Sequence, residues 1–96
     1  MLANSDAMGA ARGMQIRTEY KVGQTRARLM RQSSESSADK RRAEAEASDE
    51  YAEACEKHAA AEAEWERLRD QRNKCELIIE AWRSIQANER GLQRFR

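Results

Sequence analysis

The sequence predicts an all-α fold: a helical hairpin with a long, coiled-coil-like C-terminal helix that assembles into an oligomer. Apolar side chains recur at alternating three- and four-residue spacing over residues 51–82, which places a narrow apolar stripe on one side of an α-helix. The chain contains no proline, and no glycine occurs between Gly23 and Gly91, so nothing forces a break there. The charged fraction is 36% and the aromatic fraction 5%, which is typical of a solvated helical rod.

The N-terminal third is expected to contain a leader and one helix. Residues 1–13 are small and polar and include two glycines, so we expect a disordered leader. A first helix is expected over 14–32. Its apolar stripe consists of Ile16, Tyr20, Gly23, Ala27 and Met30. Glycine costs about 1 kcal/mol relative to alanine inside a helix, so Gly23 either weakens this helix or marks the close approach of another backbone.

A serine-rich turn at 33–37 separates this helix from the rest, because serine prefers caps and turns. Ser36 is the candidate N-cap of a short helix over 38–47, which lacks large apolar side chains. Ser48, followed by two acidic residues, is a second N-cap signal. We expect a kink at Ser48 and then a long helix over about 49–90, with a continuous helix through Ser48 as the alternative.

The long helix carries the seam through which copies are expected to associate. Its heptad positions are Tyr51, His58, Trp65, Arg72 and Ile79, alternating with Ala54, Ala61, Leu68, Cys75 and Trp82. The residues assigned to the oligomer seam are Tyr51, Trp65, Leu68, Cys75, Ile79 and Trp82. At ~1.5 Å per residue the helix would be about 60 Å long. So short a chain cannot cover a stripe of that length, and a homo-oligomer would bury it. Gly91 is the candidate C-cap.

No catalytic constellation is recognisable in the sequence. His58 is the only histidine, and no phosphate-binding glycine loop occurs. Cys55 and Cys75 lie roughly 30 Å apart if they share a helix, whereas a disulfide needs Cα atoms within about 7 Å. We therefore expect no enzyme activity, no cofactor and no metal site. Two free thiols and the lack of an apolar run of ~18 residues indicate a cytoplasmic protein without a membrane span.

Charge is distributed unevenly although the formal net charge is +1. Residues 1–35 carry a net charge of +3, residues 36–66 of −6 and residues 67–96 of +4. The candidate residues for binding single-stranded DNA are Arg67, Arg69, Arg72, Lys74, Arg83, Arg90 and Arg94. They surround the helix rather than share one face, so they would track a phosphate backbone only where several copies converge. The alternative is a solubilising surface with ion pairs between neighbouring turns.

Three seam residues have two interpretations each. Trp65 and Trp82 either pack between helices or serve as stacking platforms for the bases of a single strand. Arg72 either pairs with Glu76 inside an interface, where it would fix the register, or lies at the edge and extends to water.

The run 47–91 resembles small helical proteins that bacteriophages encode near their recombination and replication genes. The matching features are D-E-Y at 49–51, I-E-A-W-R-S at 79–84, A-N-x-R at 87–90 and the preceding K-R-x-A-E-A at 40–45. In layout the chain also resembles the UvsY-type recombination mediators.

That resemblance implies a homo-oligomer in the host cytoplasm that binds single-stranded DNA. It also implies that the protein helps to load a RecA-type recombinase in place of single-strand-binding protein. No DNA-contact position of the mediator family maps onto this chain. The alternative is a structural or adaptor coiled coil, of a virion or a regulatory assembly, that binds protein only. An inhibitor whose acidic stretch 44–66 mimics nucleic acid ranks third.

Overall fold

The structure, a computed structural model, describes the backbone of residues 2–94 and the side chains of residues 5–92. Within this range the chain forms three α-helices and no strand: α1 Leu2–Gln32, α2 Ala38–Glu46 and α3 Asp49–Arg94. The body measures 84 × 24 × 15 Å, with a radius of gyration of 23.5 Å. A compact domain of this length would have a radius of gyration of about 13 Å. The predicted all-α fold with a long C-terminal helix is therefore confirmed.

α1 packs antiparallel against the first part of α3. Arg28 forms an ion pair with Glu50, Thr18 Oγ1 lies 3.0 Å from His58 Nδ1, and the Arg12 guanidinium lies 5.6 Å from the centre of the Trp65 ring. In this register the start of α1 lies opposite a position near residue 75 of α3. The remaining ~19 residues of α3 extend beyond α1 by roughly 28 Å at ~1.5 Å per residue.

The core between the helices is built mainly from small side chains. The buried residues are Ala11, Ala45, Ala54, Ala61, Leu68 and the polar Thr25. No large side chain among those described is fully buried. Small side chains let two helix axes approach to the lower end of the usual 8–10 Å range. Because hydrophobic stabilisation scales with the apolar area removed from water, at about 25 cal/mol per Å², this core stabilises the hairpin only modestly.

α1 begins earlier than predicted. Residues 2–13, which were expected to form a disordered leader, are helical from Leu2 onward, while Met1 lies outside the described residues. Four alanines in this stretch favour a helix, and Ala11 is buried to 8% exposure. The two glycines weaken the helix locally, but packing outweighs that cost.

The face of α1 that meets α3 is also different from the predicted one. Ile16 and Tyr20, assigned to its apolar stripe, are 53% and 68% exposed. The face toward α3 instead carries Ala11, Thr18 and Thr25, spaced seven residues apart. α3 offers Ala54, Ala61 and Leu68 at the same spacing. Short side chains on both helices permit a closer contact than the large side chains of the predicted stripe would.

Serine caps define both breaks between helices. Ser37 Oγ accepts a hydrogen bond of 3.1 Å from the Lys40 backbone N–H, so the N-cap of α2 lies one residue after the predicted Ser36. At the second break, Ser48 Oγ accepts a hydrogen bond of 3.2 Å from the Glu50 backbone N–H. Helix is interrupted at residues 47–48, which confirms the kink rather than a continuous helix.

α2 lies along the end of α1 and completes the corner. Ala45 is 2% exposed, and Ser33 Oγ donates a 2.6 Å hydrogen bond to Glu44 Oε2. Arg26 Nη1 lies 4.0 Å from Glu46 Oε1. These contacts fix where α3 begins and therefore how far it extends past α1.

α3 continues through Gly91 to Arg94, so Gly91 is not a C-cap. Every residue over 69–85 is exposed. The predicted seam is thus divided. Its first half, up to Leu68, is covered by α1 of the same chain, and its second half is open. None of the described helices is long and apolar enough to cross a membrane.

We expect Leu68→Ala to lower the free energy of unfolding by about 2 kcal/mol, because a largely buried side chain is truncated. Urea denaturation followed by helical circular dichroism measures the change. Leu77→Ala is the matched control, since Leu77 is 64% exposed, and it should change stability by less than about 0.5 kcal/mol. Equal effects of the two substitutions would contradict the described α1–α3 packing.

We expect Gly23→Ala to raise the free energy of unfolding by about 1 kcal/mol, the difference in helix propensity. An added Cβ at this position meets nothing within 4 Å, so Gly23 does not mark a close backbone approach. The same denaturation experiment measures the gain. Gly91→Ala, three residues before the end of α3, serves as the control and should have a smaller effect. A lower free energy of unfolding for Gly23→Ala would contradict this expectation and would indicate a steric clash at the added Cβ.

Candidate nucleic-acid interface

The part of α3 that extends beyond α1, residues 76–94, is called here the distal segment. Because α3 is unbroken, residues seven apart lie in one row along its surface. Arg69, Arg83 and Arg90 form such a row, which we call the arginine row. Arg94, the last residue of α3, follows Arg90 by four positions, but its side chain lies outside those described. Part of the predicted basic set therefore shares one face.

Arg67 and Lys74 form a second row, also seven residues apart. At about 100° per residue this row lies roughly opposite the arginine row. The prediction that the full set does not share one face is thus correct, but it overlooked the aligned subset. The signal was present in the sequence as the seven- and fourteen-residue separations of Arg69, Arg83 and Arg90.

Two of the predicted basic residues are neutralised by neighbours on α3. Arg67 makes a bidentate contact with Glu64, with hydrogen bonds of 3.0 and 2.7 Å. This hydrogen bonding raises the pKa of Arg67 and lowers the pKa of Glu64. Arg72 Nε lies 3.2 Å from Glu76 Oε1, so the predicted Arg72–Glu76 pair is present on the surface. Both pairs are exposed and contribute little to stability.

The arginine row differs in this respect. No described carboxylate lies within 4.0 Å of the guanidinium groups of Arg69, Arg83 or Arg90. Their charges remain available to an anionic ligand. Lys74, on the opposite side, is exposed as well.

The two tryptophans have different environments. Trp65 is half-buried, and the Arg12 guanidinium of α1 lies over its ring at 5.6 Å. This cation–π contact occupies one face of the ring within the chain. Trp82 is 60% exposed and lies next to Arg83 of the arginine row. Of the two, Trp82 is the one positioned to stack on a base or to enter an interface.

The predicted seam residues divide in the same way. Tyr51 and Trp65 are half-buried and Leu68 is buried at the α1 side, whereas Cys75, Ile79 and Trp82 are exposed. The distal segment also exposes four large apolar side chains that were not assigned to the seam: Leu77, Ile78, Ile85 and Leu92. Together with Ile79 and Trp82, the exposed large apolar residues there are Leu77, Ile78, Ile79, Trp82, Ile85 and Leu92, with exposures of 64, 69, 38, 60, 56 and 65%.

Four of these side chains lie at three- and four-residue spacing together with Cys75 and Glu89, and we call this row the distal stripe. Its members are Cys75, Ile78, Trp82, Ile85, Glu89 and Leu92. The heptad seam shifts before Ile78, because the steps from Arg72 to Cys75 and from Cys75 to Ile78 are both three residues. Such a stammer turns the stripe by about 50° around the helix. Strict heptad numbering therefore missed Ile78 and Ile85.

His58 and the cysteines have no catalytic arrangement around them in the described part of the chain. His58 Nδ1 faces Thr18 of α1, and its Nε2 lies 3.1 Å from Glu62 Oε1. It links the two helices, as expected of a packed seam residue. Cys55 and Cys75 are free thiols. No group of three His, Cys, Asp or Glu side chains among the described residues converges to hold a metal ion.

A further basic row, which the sequence analysis did not identify, lies on α1. Its members, separated by four, seven and three residues, are Arg17, Lys21, Arg28 and Arg31. Lys21, Arg28 and Arg31 line a shallow groove on α1. Arg28 is held by its ion pair with Glu50. This row is a second basic surface of the molecule, and an anionic ligand that did not bind the arginine row of α3 would bind here.

No protein-family model, curated protein or solved structure matches this chain. The function is therefore inferred from the arginine row, the exposed Trp82 and the distal stripe.

Proposed function

We propose that the chain is a phage recombination or replication accessory protein that binds single-stranded DNA as a homo-oligomer and assists the loading of a RecA-type recombinase. The observation that supports DNA binding is the arginine row on the exposed side of α3. Its three guanidinium groups have no carboxylate partner among the described residues. Arg83 and Arg90 are ~10 Å apart along the helix, and Arg69 is a further ~21 Å away.

A single strand suits this surface better than a duplex. The arginine row is sparse, with Glu76 standing between Arg69 and Arg83 in the same row. A flexible strand can bend to place its phosphates on separated cations, whereas a duplex presents fixed spacings.

The recombinase-loading role is supported by the resemblance over 47–91 to phage recombination-associated proteins. One copy carries few free cations, so its affinity for a strand would be low. An oligomer with several linked sites holds one strand much more tightly than a single site does. Such a protein can retain the strand while single-strand-binding protein is exchanged for recombinase.

The second candidate function is a structural or adaptor coiled coil, in a virion or a regulatory assembly, that binds protein only. The observation that favours it is the distal stripe, whose side chains at three- and four-residue spacing match an amphipathic helix that packs into a groove or against another helix. The two functions differ in whether the arginine row contacts nucleic acid.

Fluorescence anisotropy with a labelled single-stranded oligonucleotide, across a salt series and with duplex as comparison, tests DNA binding. We expect binding that prefers the single strand and weakens steeply with salt. The triple substitution Arg69→Gln, Arg83→Gln, Arg90→Gln should reduce the steepness of log K against log salt by about 2 per copy, since each phosphate contact to a single strand contributes about 0.7.

The matched control removes the same charge from α1, with Arg17→Gln, Lys21→Gln and Arg31→Gln, and should leave the salt slope nearly unchanged. Equal losses in the two triple variants would show that net charge rather than the arginine row determines binding. Absence of binding at low salt would overturn the DNA-binding proposal in favour of the protein-only coiled coil.

The recombinase-loading role is tested by a separate activity assay. On DNA coated with single-strand-binding protein, addition of this protein should raise the DNA-dependent ATPase rate of a RecA-type recombinase. DNA binding without this stimulation would contradict the recombinase-loading role alone.

A further inference from the structure

We propose that the distal stripe is covered by a second copy of this chain, with the two distal segments paired antiparallel. This inference specifies the oligomer of the proposed function, and only its consequence for DNA rests on that function. The stripe begins opposite the first residues of α1, and every residue over 69–85 is exposed. Nothing in the described part of the chain packs on it.

The distal stripe supplies the apolar centre of a pair. Four of its side chains, Ile78, Trp82, Ile85 and Leu92, are more than half exposed. At on the order of 100 Å² each, two copies would bury on the order of 800 Å² of apolar side chain, and the residues that flank the stripe add to this area toward the ~1,200 Å² at which specific interfaces begin. An exposed stripe of this size on a single chain marks an interaction site.

Glu89 indicates the direction of the pairing. It occupies a position within the distal stripe, between Ile85 and Leu92. A parallel, in-register pair would place the two Glu89 carboxylates opposite each other inside the seam, where like charges repel. In an antiparallel pair they lie near opposite ends of the overlap, and each has Ile78 and Lys74 of the other copy as its neighbours.

The charge along the distal segment favours the same direction. Residues 76–84 contain Glu76, Glu80 and Arg83, a net charge of −1, and residues 85–94 contain Glu89, Arg90 and Arg94, a net charge of +1. Antiparallel pairing brings the acidic half of one copy beside the basic end of the other, while parallel pairing sets like charges side by side. The spacing of the stripe then gives the register, with Trp82 against Ile85 of the second copy at the centre and Cys75 against Leu92 toward each end.

This arrangement joins the two arginine rows. Arg83 directly follows Trp82, and Arg90 directly follows Glu89, both of which are stripe residues. The arginine row therefore runs along one side of the stripe. In an antiparallel pair the two-fold axis is perpendicular to both helices, so flanking rows of both copies lie on the same side of the rod. In a parallel pair they would lie on opposite sides. The second copy thus completes the DNA-binding face.

Disulfide cross-linking tests the direction without DNA. All variants carry Cys55→Ser, since Cys55 is the other free thiol. The chain that retains Cys75 and gains Leu92→Cys should form disulfide-linked dimers under mild oxidation. Two single-thiol controls, one retaining only Cys75 and one with Cys75→Ser and Leu92→Cys, should not. Their like thiols would be separated by about 25 Å, beyond the ~7 Å limit for Cα atoms of a disulfide.

Dimers from either single-thiol control would overturn the antiparallel direction in favour of a parallel pair. Light scattering completes the test. The unmodified chain should have a mass near twice 11.0 kDa. Trp82→Asp should reduce it to one copy with helical circular dichroism retained, because Trp82 supports no contact within the hairpin. Tyr20→Asp, at an exposed aromatic of α1, should leave the dimer intact.

A monomeric unmodified chain, or a dimer lost only through Tyr20→Asp, would overturn the proposed interface. These readouts do not involve nucleic acid, so they separate the fate of the interface from that of the proposed function. A confirmed dimer without DNA binding would leave the interface standing and reject the DNA-binding role.

Discussion

α1 buries side chains of α3 only as far as Leu68, through a seam rich in alanine and threonine, and α3 then extends beyond the start of α1 with no packed partner among the residues that the structure describes. The mismatch in length follows from the position of the serine corner. The caps at Ser37 and Ser48 determine where α2 and α3 begin. From that corner α1 is shorter than α3, so α3 extends beyond the far end of α1. The long, thin shape and the exposed distal segment both result from this constraint.

A seam of small side chains aligns two helices closely but removes little apolar area from water. The large apolar side chains lie elsewhere, on the distal segment and on the outer face of α1. This distribution is the reverse of that in a compact domain, where the largest side chains fill the centre. It suits a molecule whose main hydrophobic contact is made between chains. The arginine row lies beside the distal stripe, so the proposed assembly and the proposed anion binding share one stretch of α3.

The helices themselves follow from local signals. The serine turn, the corner at Ser48 and the absence of proline were sufficient to predict the element order and the long α3. The inner face of α1 was not predictable from hydropathy, because Thr18 and Thr25 do not register as apolar and their burial depends on the alanines opposite. The helical state of 2–13 depends likewise on packing against α3. The heptad pattern of the sequence predicted only part of the distal stripe, because a stammer moves Ile78 and Ile85 out of the heptad numbering.

Hydrogen exchange along α3, measured on the unmodified protein over a range of concentrations, tests most directly whether the distal segment is an interface between copies. We predict that amide protection over 76–92 rises with protein concentration, whereas protection over 51–68 is nearly independent of it. Local opening of the distal segment should be suppressed once a second helix covers it. Protection over 76–92 that stays low at every concentration, or a concentration-dependent rise confined to α1, would contradict the assignment of the distal stripe to a second copy.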